Sequence, residues 1–282
     1  MLLDHRYVAV PETLPEVLAA LEARPGAHVI AGGSELMPDL LACRKTPTGF
    51  VSLRRVAELR GVREEAGTLV IGAATPVVDL LGLTQAPGLA AAGASLGTPQ
   101  VRNLATVGGN VMSALPYRNL LPALIALDAE VELVSSAGPR RVAYRDFTRA
   151  PGQTVCAPGE IVRAVRVPVL DGFQDFVKVG RRNAQFVAVA SAALVVDRAA
   201  RRVRIGLGNA APTPVRAPAA EAHAARVIDW DAGTIAAADA TECGRLAAAE
   251  ADPPADHIAS AAYRRHATGV LVGRLLERAG RV

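Results

Sequence analysis

Cysteine is scarce in this chain: Cys43, Cys156 and Cys243 are the only three, and they lie far apart in the sequence. No two of them have the C-x-x-C spacing that is typical of a zinc site or an iron–sulfur cluster. A sparse, odd number of cysteines also argues against a disulfide framework. We therefore expect reduced thiols in a cytoplasmic protein that holds no iron–sulfur cluster of its own.

Aromatic residues and long apolar runs are also in short supply. Aromatic residues make up 4% of the chain, so its core must be built mainly from Leu, Val and Ala. No charge-free apolar stretch reaches roughly eighteen residues, which predicts no membrane span. Met1 to Val10 contains charged residues and no apolar segment of the kind found in a signal peptide. The net charge of +4 comes from dispersed arginines without interleaved aromatics, so no nucleic acid partner is expected.

The order of predicted elements divides the 282 residues into three parts. Residues 1–55 alternate strands and helices around a glycine turn. Residues 56–170 contain further strands, a small-residue helix at Leu89–Leu96 and an apolar helix at Leu121–Leu127. Residues 171–282 give three strands followed by helices, which indicates an α+β domain. Within the second part, Gly97–Asn110 is predicted to be an irregular loop around a strand and Glu130–Val134 to be an exposed edge strand.

Two glycine-rich segments carry the candidate chemistry. The first glycine turn, residues 29–36, consists of Val29, Ile30, Ala31, Gly32, Gly33, Ser34, Glu35 and Leu36. The second glycine turn, residues 106–110, consists of Thr106, Val107, Gly108, Gly109 and Asn110. Such turns leave backbone N–H groups open to an anion, because glycine places no side chain in the way. Neither turn has the G-x-G-x-x-G or P-loop pattern, so the residues alone predict an anion held between two backbone turns.

Several motifs resemble the FAD-binding medium subunit of molybdenum hydroxylases, the xanthine dehydrogenase and carbon monoxide dehydrogenase group. The similarity spans nearly the whole chain, and its motifs follow in the family's order. They are Ala31–Leu36, Gly97–Asn110, Leu121–Ala129, Pro158–Val162, Phe176–Arg182, Leu207–Thr213 and Ala262–Arg265.

The resemblance implies an α+β protein: a two-subdomain FAD-binding fold of the vanillyl-alcohol-oxidase (PCMH) type, followed by a C-terminal domain with a three-stranded sheet plus helices. It implies that both glycine turns hold the FAD pyrophosphate. It also places Gly97, Asn119, the Val162 backbone and Lys178 at the cofactor. A lysine near the flavin would stabilise negative charge that develops on reduction. No catalytic or metal-binding residue is predicted.

Asn119 departs from the family, which commonly has aspartate at this position. Its amide oxygen still accepts a hydrogen bond, but it carries no charge, so altered or weaker FAD contacts are expected.

The resemblance also implies partners, namely an iron–sulfur small subunit and a molybdopterin-binding large subunit, in a heterotrimer or its dimer. Electrons would pass from the clusters through FAD to an acceptor. Two alternatives stay open at this point. One is a self-sufficient FAD-dependent reductase or oxidase of a small molecule, and the other is a flavin-binding module without turnover of its own.

Overall fold

The computed structural model describes residues 7–182 and 185–280, so the charged residues used in the signal-peptide argument, Asp4 to Arg6, lie outside the described residues. The first part of the chain contains a parallel three-stranded sheet in the order β1-β3-β2. Helix α1 begins at Leu14 because the Thr13 hydroxyl accepts a hydrogen bond from the Glu16 amide. The elements are β1 (Val8–Ala9), α1 (Leu14–Ala23), β2 (His28–Ile30), α2 (Leu36–Leu41) and β3 (Phe50–Ser52).

The second part contains an antiparallel five-stranded sheet in the order β4-β5-β10-β6-β7 and four helices, of which α5 packs against β5 and β10. Strand β10 lies in the middle, and its residues alternate between the two faces of the sheet. The strands of the second part are β4 (Val62–Glu65), β5 (Thr68–Gly72), β6 (Glu130–Ser135), β7 (Gly138–Ala143), β8 (Thr148–Ala150), β9 (Gln153–Thr154) and β10 (Ile161–Pro168). Strands β8 and β9 pair with each other in a separate two-stranded sheet. The helices of this part are α3 (Pro87–Ala94), α4 (Pro99–Leu104), α5 (Val107–Ser113) and α6 (Leu120–Ala126).

The third part is an antiparallel sheet with helices on one face. Strand β12 is buried on both sides: Ala193 and Val195 join the core of the second part, while Leu194 and Val196 pack under the C-terminal helices. A short fourth strand adds to the three that the sequence predicts. The elements are β11 (Gly172–Val179), β12 (Ala190–Asp197), β13 (Arg202–Gly208), β14 (Val215–Arg216), α7 (Pro218–Val227), α8 (Ala237–Glu250) and α9 (Ala261–Ala279). The predicted α+β fold class is confirmed.

Two predictions in the second part are wrong. Gly97–Asn110 is not an irregular loop, because it forms α4 and most of α5. The Thr98 and Thr106 hydroxyls cap these helices by accepting from the amides of Val101 and Gly109, at 3.2 Å each. Strand β6 is not an edge strand, since it pairs with β10 on one side and β7 on the other.

Asp128 holds the second part to the third. Its carboxylate accepts from Arg204 at 2.8 Å and from Arg216 at 2.9 Å, both on strands of the C-terminal sheet. Gly206 lets the backbone of β13 approach the backbone of α6 closely, because a Cβ there would lie 2.0 Å from the Pro122 carbonyl oxygen. The C-terminal sheet therefore packs closely against α6.

Candidate functional site: a cleft between two glycine turns

Both glycine turns line one cleft, which has a volume of about 660 Å³. The first glycine turn leaves the end of β2 and leads into α2, while the second forms the start of α5. The cleft is further lined by strand β10, through Ile161 and Val162, and by apolar side chains of α4 and α5. The two separated segments therefore face the same space.

The first glycine turn presents unpaired amides. Within the described ranges, the backbone N–H groups of residues 32–35 donate to no protein acceptor. Gly33 has a φ of +67°, the left-handed conformation that glycine adopts without strain. Successive open amides ahead of a helix form a concave site for an anion.

Gly32 is what allows the two segments to meet. A Cβ at this position would lie 1.7 Å from the Leu104 carbonyl oxygen and 3.3 Å from the Ala105 Cα. Leu104 and Ala105 join α4 to the second glycine turn. Any larger residue at position 32 would thus push the two turns apart.

In the second glycine turn, side chains rather than backbone amides are available to a ligand. The Val107 amide donates to Thr75 and the Gly108 amide to Ala73, so the interpretation that these N–H groups are open to a ligand is wrong. The Asn110 side chain is 8% exposed and lines the cleft, and its Oδ1 has no hydrogen-bond partner within the described part of the chain. A Cβ at Gly109 would meet a single atom, the Thr106 hydroxyl at 3.0 Å.

The other predicted site residues lie in two places. Val162 lines the cleft together with the residues of both turns other than Val107, which is fully buried in the core. Gly97, Asn119 and Lys178 do not line the cleft but lie together behind one wall of it. The Asn119 amide nitrogen donates to the Ser95 hydroxyl at 2.9 Å, and Lys178 Nζ donates to the Ser95 carbonyl at 2.6 Å. Their roles toward the cofactor stay predictions.

Among the residues that the structure describes, no carboxylate contacts the Lys178 ammonium group. It donates to the carbonyl oxygens of Ser95 and Phe186 and lies 4.3 Å from the centre of the Phe186 ring. Burial disfavours the charged form and lowers the pKa of Lys178 to about 8.

We expect this low pKa to make stability depend on pH. The Lys178 pKa is about 8 in the folded chain and about 10.4 when unfolded. Between these values the unfolded chain binds more protons, so the free energy of unfolding rises with pH. Lys178→Met removes this contribution. The stability of the wild type relative to Lys178→Met should therefore increase above pH 8.

Urea titrations at a series of pH values measure the difference in the free energy of unfolding between the wild type and Lys178→Met. The other titrating groups are the same in both chains, so their contributions cancel in this difference. Lys178 is one of two lysines in the sequence, so a lysine side-chain NMR titration reports its pKa directly, with Lys178→Met assigning the signal. A stability difference that stays constant with pH would contradict the prediction.

Sequence reasoning missed several side chains of the cleft. Arg118 forms an ion pair with Glu35 and donates to the Ser113 hydroxyl at 2.9 Å, and so connects the first glycine turn to α5. Its position beside Asn119 was the available signal. Glu160, next to Ile161 in a motif quoted for the resemblance, also lines the cleft.

The carboxylates at the cleft are neutralised by cations. Arg44 and Lys45 pair with Asp39, and Arg44 is the larger cause of the lowered pKa of its carboxyl. Arg140 forms two hydrogen bonds with Glu160, at 2.6 and 2.7 Å, and holds the pKa of the Glu160 carboxyl below its ordinary value. Because these carboxylates are paired with cations, they repel an anionic ligand less than free carboxylates would.

Residues 4–170 match the family described as "FAD binding domain in molybdopterin dehydrogenase", and residues 175–279 match "CO dehydrogenase flavoprotein C-terminal domain". The chain belongs to the FAD-binding medium subunits of the molybdenum hydroxylases. The predicted resemblance and the FAD cofactor are confirmed, and the chain is an oxidoreductase subunit.

Similar proteins cover this medium subunit almost end to end. The glyceraldehyde dehydrogenase medium chain of Sulfolobus acidocaldarius is 31% identical over 92% of this chain and 93% of its own. The carbon monoxide dehydrogenase medium chain of Afipia carboxidovorans is 32% identical over 95% of this chain and 94% of its own. A solved carbon monoxide dehydrogenase from Hydrogenophaga pseudoflava, lacking the Mo-pyranopterin moiety of its cofactor, matches with a TM-score of 0.88 and 29% identity over 99% of both chains. Such medium chains are components of multi-subunit enzymes.

The residues present fit a dinucleotide with a diphosphate. The unpaired amides of residues 32–35 supply donors, and the unpartnered Oδ1 of Asn110 supplies an acceptor for a hydroxyl or ring N–H of the ligand. Gly109 places no side chain on this side of the cleft, where a Cβ would contact only the Thr106 hydroxyl. Within the described ranges, no helix has both the length and the apolar character needed to cross a membrane.

Proposed function

We propose that this medium subunit holds FAD in the cleft between the two glycine turns and passes electrons from iron–sulfur clusters of a partner subunit, through FAD, to an acceptor. The observation that supports this most directly is the meeting of both turns at one cleft, with the amides of residues 32–35 left without acceptors in the described structure.

The first glycine turn is proposed to bind the diphosphate through its backbone. Four consecutive unpaired N–H groups at residues 32–35, with the Ser34 hydroxyl among them, match the acceptor oxygens of such a group. The second glycine turn contributes the Thr106 hydroxyl and the Asn110 side chain. Gly109 keeps that side of the cleft open.

The apolar part of the cleft is proposed to shelter the rest of the cofactor from water. Leu96, Val101, Met112 and Leu115 line this part, and Val162 of β10 lies beside them. Bound FAD supplies the redox chemistry, which is the exchange of one or two electrons. The protein binds and orients the cofactor and limits the access of solvent.

The clusters and the molybdenum centre are proposed to lie in partner chains. All three cysteines of this chain are free thiols, and no group of three or more His, Cys, Asp or Glu in the described ranges could hold a metal ion. We therefore propose an iron–sulfur small subunit and a molybdopterin-binding large subunit, in a heterotrimer or its dimer. The free thiols also support the proposed cytoplasmic location.

The test is to purify the chain, titrate it with FAD, and then repeat the measurement with co-expressed partner subunits. We expect the visible absorption bands of oxidised flavin to accompany the chain. We expect a substrate of the assembled enzyme to bleach these bands when the partners are present, and the chain alone to retain them. Partner complexes without this chain are the matched control for electron transfer.

Two outcomes would contradict the proposal. Bleaching of the isolated chain by a small-molecule substrate would show a self-sufficient flavoenzyme. A chain that binds no FAD, either alone or in the complex, would remove the cofactor role of the cleft.

A further inference from the structure

The turn formed by residues 95–97 lies between α3 and α4 at the wall of the cleft. The Leu96 side chain lines the cleft. Gly97 has a φ of +47°, and a Cβ there would lie 3.0 Å from the Val101 side chain. The backbone of this turn is thus held in a shape that ordinary residues rarely adopt.

Arg102 holds the turn from within the same subdomain. Its Nη1 donates to the Leu96 carbonyl at 2.9 Å and to the Gly97 carbonyl at 3.1 Å. Hydrogen bonds from a charged donor are stronger than those between neutral groups. Two adjacent carbonyls are therefore fixed by one guanidinium group.

Lys178 holds the same turn from the C-terminal domain. Its Nζ donates to the Ser95 carbonyl at 2.6 Å, so a cation contacts each of the three carbonyls of residues 95–97. Asn119 adds a fourth contact, from its amide nitrogen to the Ser95 hydroxyl. Three separate elements, namely α4, β11 and the residue before α6, thus converge on one turn.

These contacts use donors that the resemblance would direct to the cofactor. Lys178 donates its hydrogen bonds to the backbone carbonyls of Ser95 and Phe186, and neither Lys178 nor Asn119 lines the cleft. The side chain that reaches the cleft from this turn is Leu96. The geometry thus makes the turn the intermediary between these polar side chains and the cofactor.

We propose that Arg102 and Lys178 are positioning residues that hold the turn of residues 95–97 in the shape needed for FAD binding. This inference rests on the proposed function of the cleft. It makes the C-terminal domain a contributor to cofactor affinity through Lys178 of β11.

The test is a double-mutant cycle on the full chain, with Arg102→Met, Lys178→Met and the double variant. FAD affinity is measured by quenching of flavin fluorescence, and the environment of the flavin by its visible circular dichroism. Each single variant should bind FAD about tenfold more weakly and alter the dichroism, since it loses charge-assisted bonds. The FAD affinity of the double variant should lie within about threefold of that of the single variant that binds FAD less tightly, because both residues act on one turn.

Conservative variants and a surface control complete the test. Arg102→Lys and Lys178→Arg keep a cationic donor and should recover most of the affinity, which also keeps the test valid if a methionine variant fails to fold. Arg245→Met, on the exposed face of α8, should bind FAD as the wild type does.

The results that would overturn the inference are distinct from those that would overturn the proposed function. Unchanged FAD affinity in both single variants would sink the inference. Multiplicative effects in the double variant would also sink it, since they indicate independent contacts with the cofactor. A wild-type chain that binds no FAD would instead overturn the proposed function.

Discussion

Replacing Gly32 by alanine is expected to lower FAD affinity by about a hundredfold, which corresponds to about 2.7 kcal/mol. The added Cβ would stand 1.7 Å from the Leu104 carbonyl oxygen, a backbone atom that a rotamer change cannot move. Relief requires that the first glycine turn shift away from the end of α4, and overpacking of this kind typically costs about 1–3 kcal/mol. Calorimetric or fluorescence titration with FAD measures the loss.

The matched control is Gly82→Ala. A Cβ at Gly82 would meet no atom within 4 Å, and this glycine has no positive φ. Its substitution should leave FAD affinity unchanged. Wild-type affinity in Gly32→Ala would show that the close approach of the two segments has no part in binding the cofactor.

Replacing Gly109 by leucine is expected to abolish most FAD binding while leaving the apo chain folded. Gly109 lines the cleft, and a Cβ there would meet only the Thr106 hydroxyl, at 3.0 Å. The leucine side chain would therefore extend into space that the proposed cofactor occupies. We expect a loss of about a hundredfold or more in affinity. Leucine is a better helix former than glycine by about 0.5–1 kcal/mol, which favours the folded apo chain.

Thermal unfolding with and without FAD separates the two effects. Ligand binding raises the apparent stability of a protein in proportion to the logarithm of the free ligand concentration over Kd. The wild type should gain stability when FAD is added, whereas Gly109→Leu should gain almost none although its apo chain still unfolds cooperatively. Gly82→Leu is the control for a leucine in open space. A Gly109→Leu chain that FAD still stabilises fully would place the cofactor elsewhere.

Local sequence signals predict the elements around the site well where capping and periodicity agree. The Thr13 cap, with Pro15 and Glu16 in the first turn, predicts α1, and the apolar stretch at Leu121–Leu127 predicts α6. The same reasoning fails at Gly97–Asn110. Its three glycines and single proline are typical of a loop, yet Gly108 is needed for packing, because a Cβ there would lie 2.7 Å from the Ala73 Cβ.

The sequence by itself determined which turns are poor in side chains. It also determined which family the chain belongs to and that FAD is the cofactor. Those properties reside in short runs of residues such as Ala31–Leu36 and Thr106–Asn110. Only the tertiary structure decided which polar groups remain open. The amides of residues 32–35 stay unpaired in the described structure, whereas Val107 and Gly108 donate to Thr75 and Ala73. Hydrogen-bond partners distant in sequence make this distinction, and a local motif does not contain them.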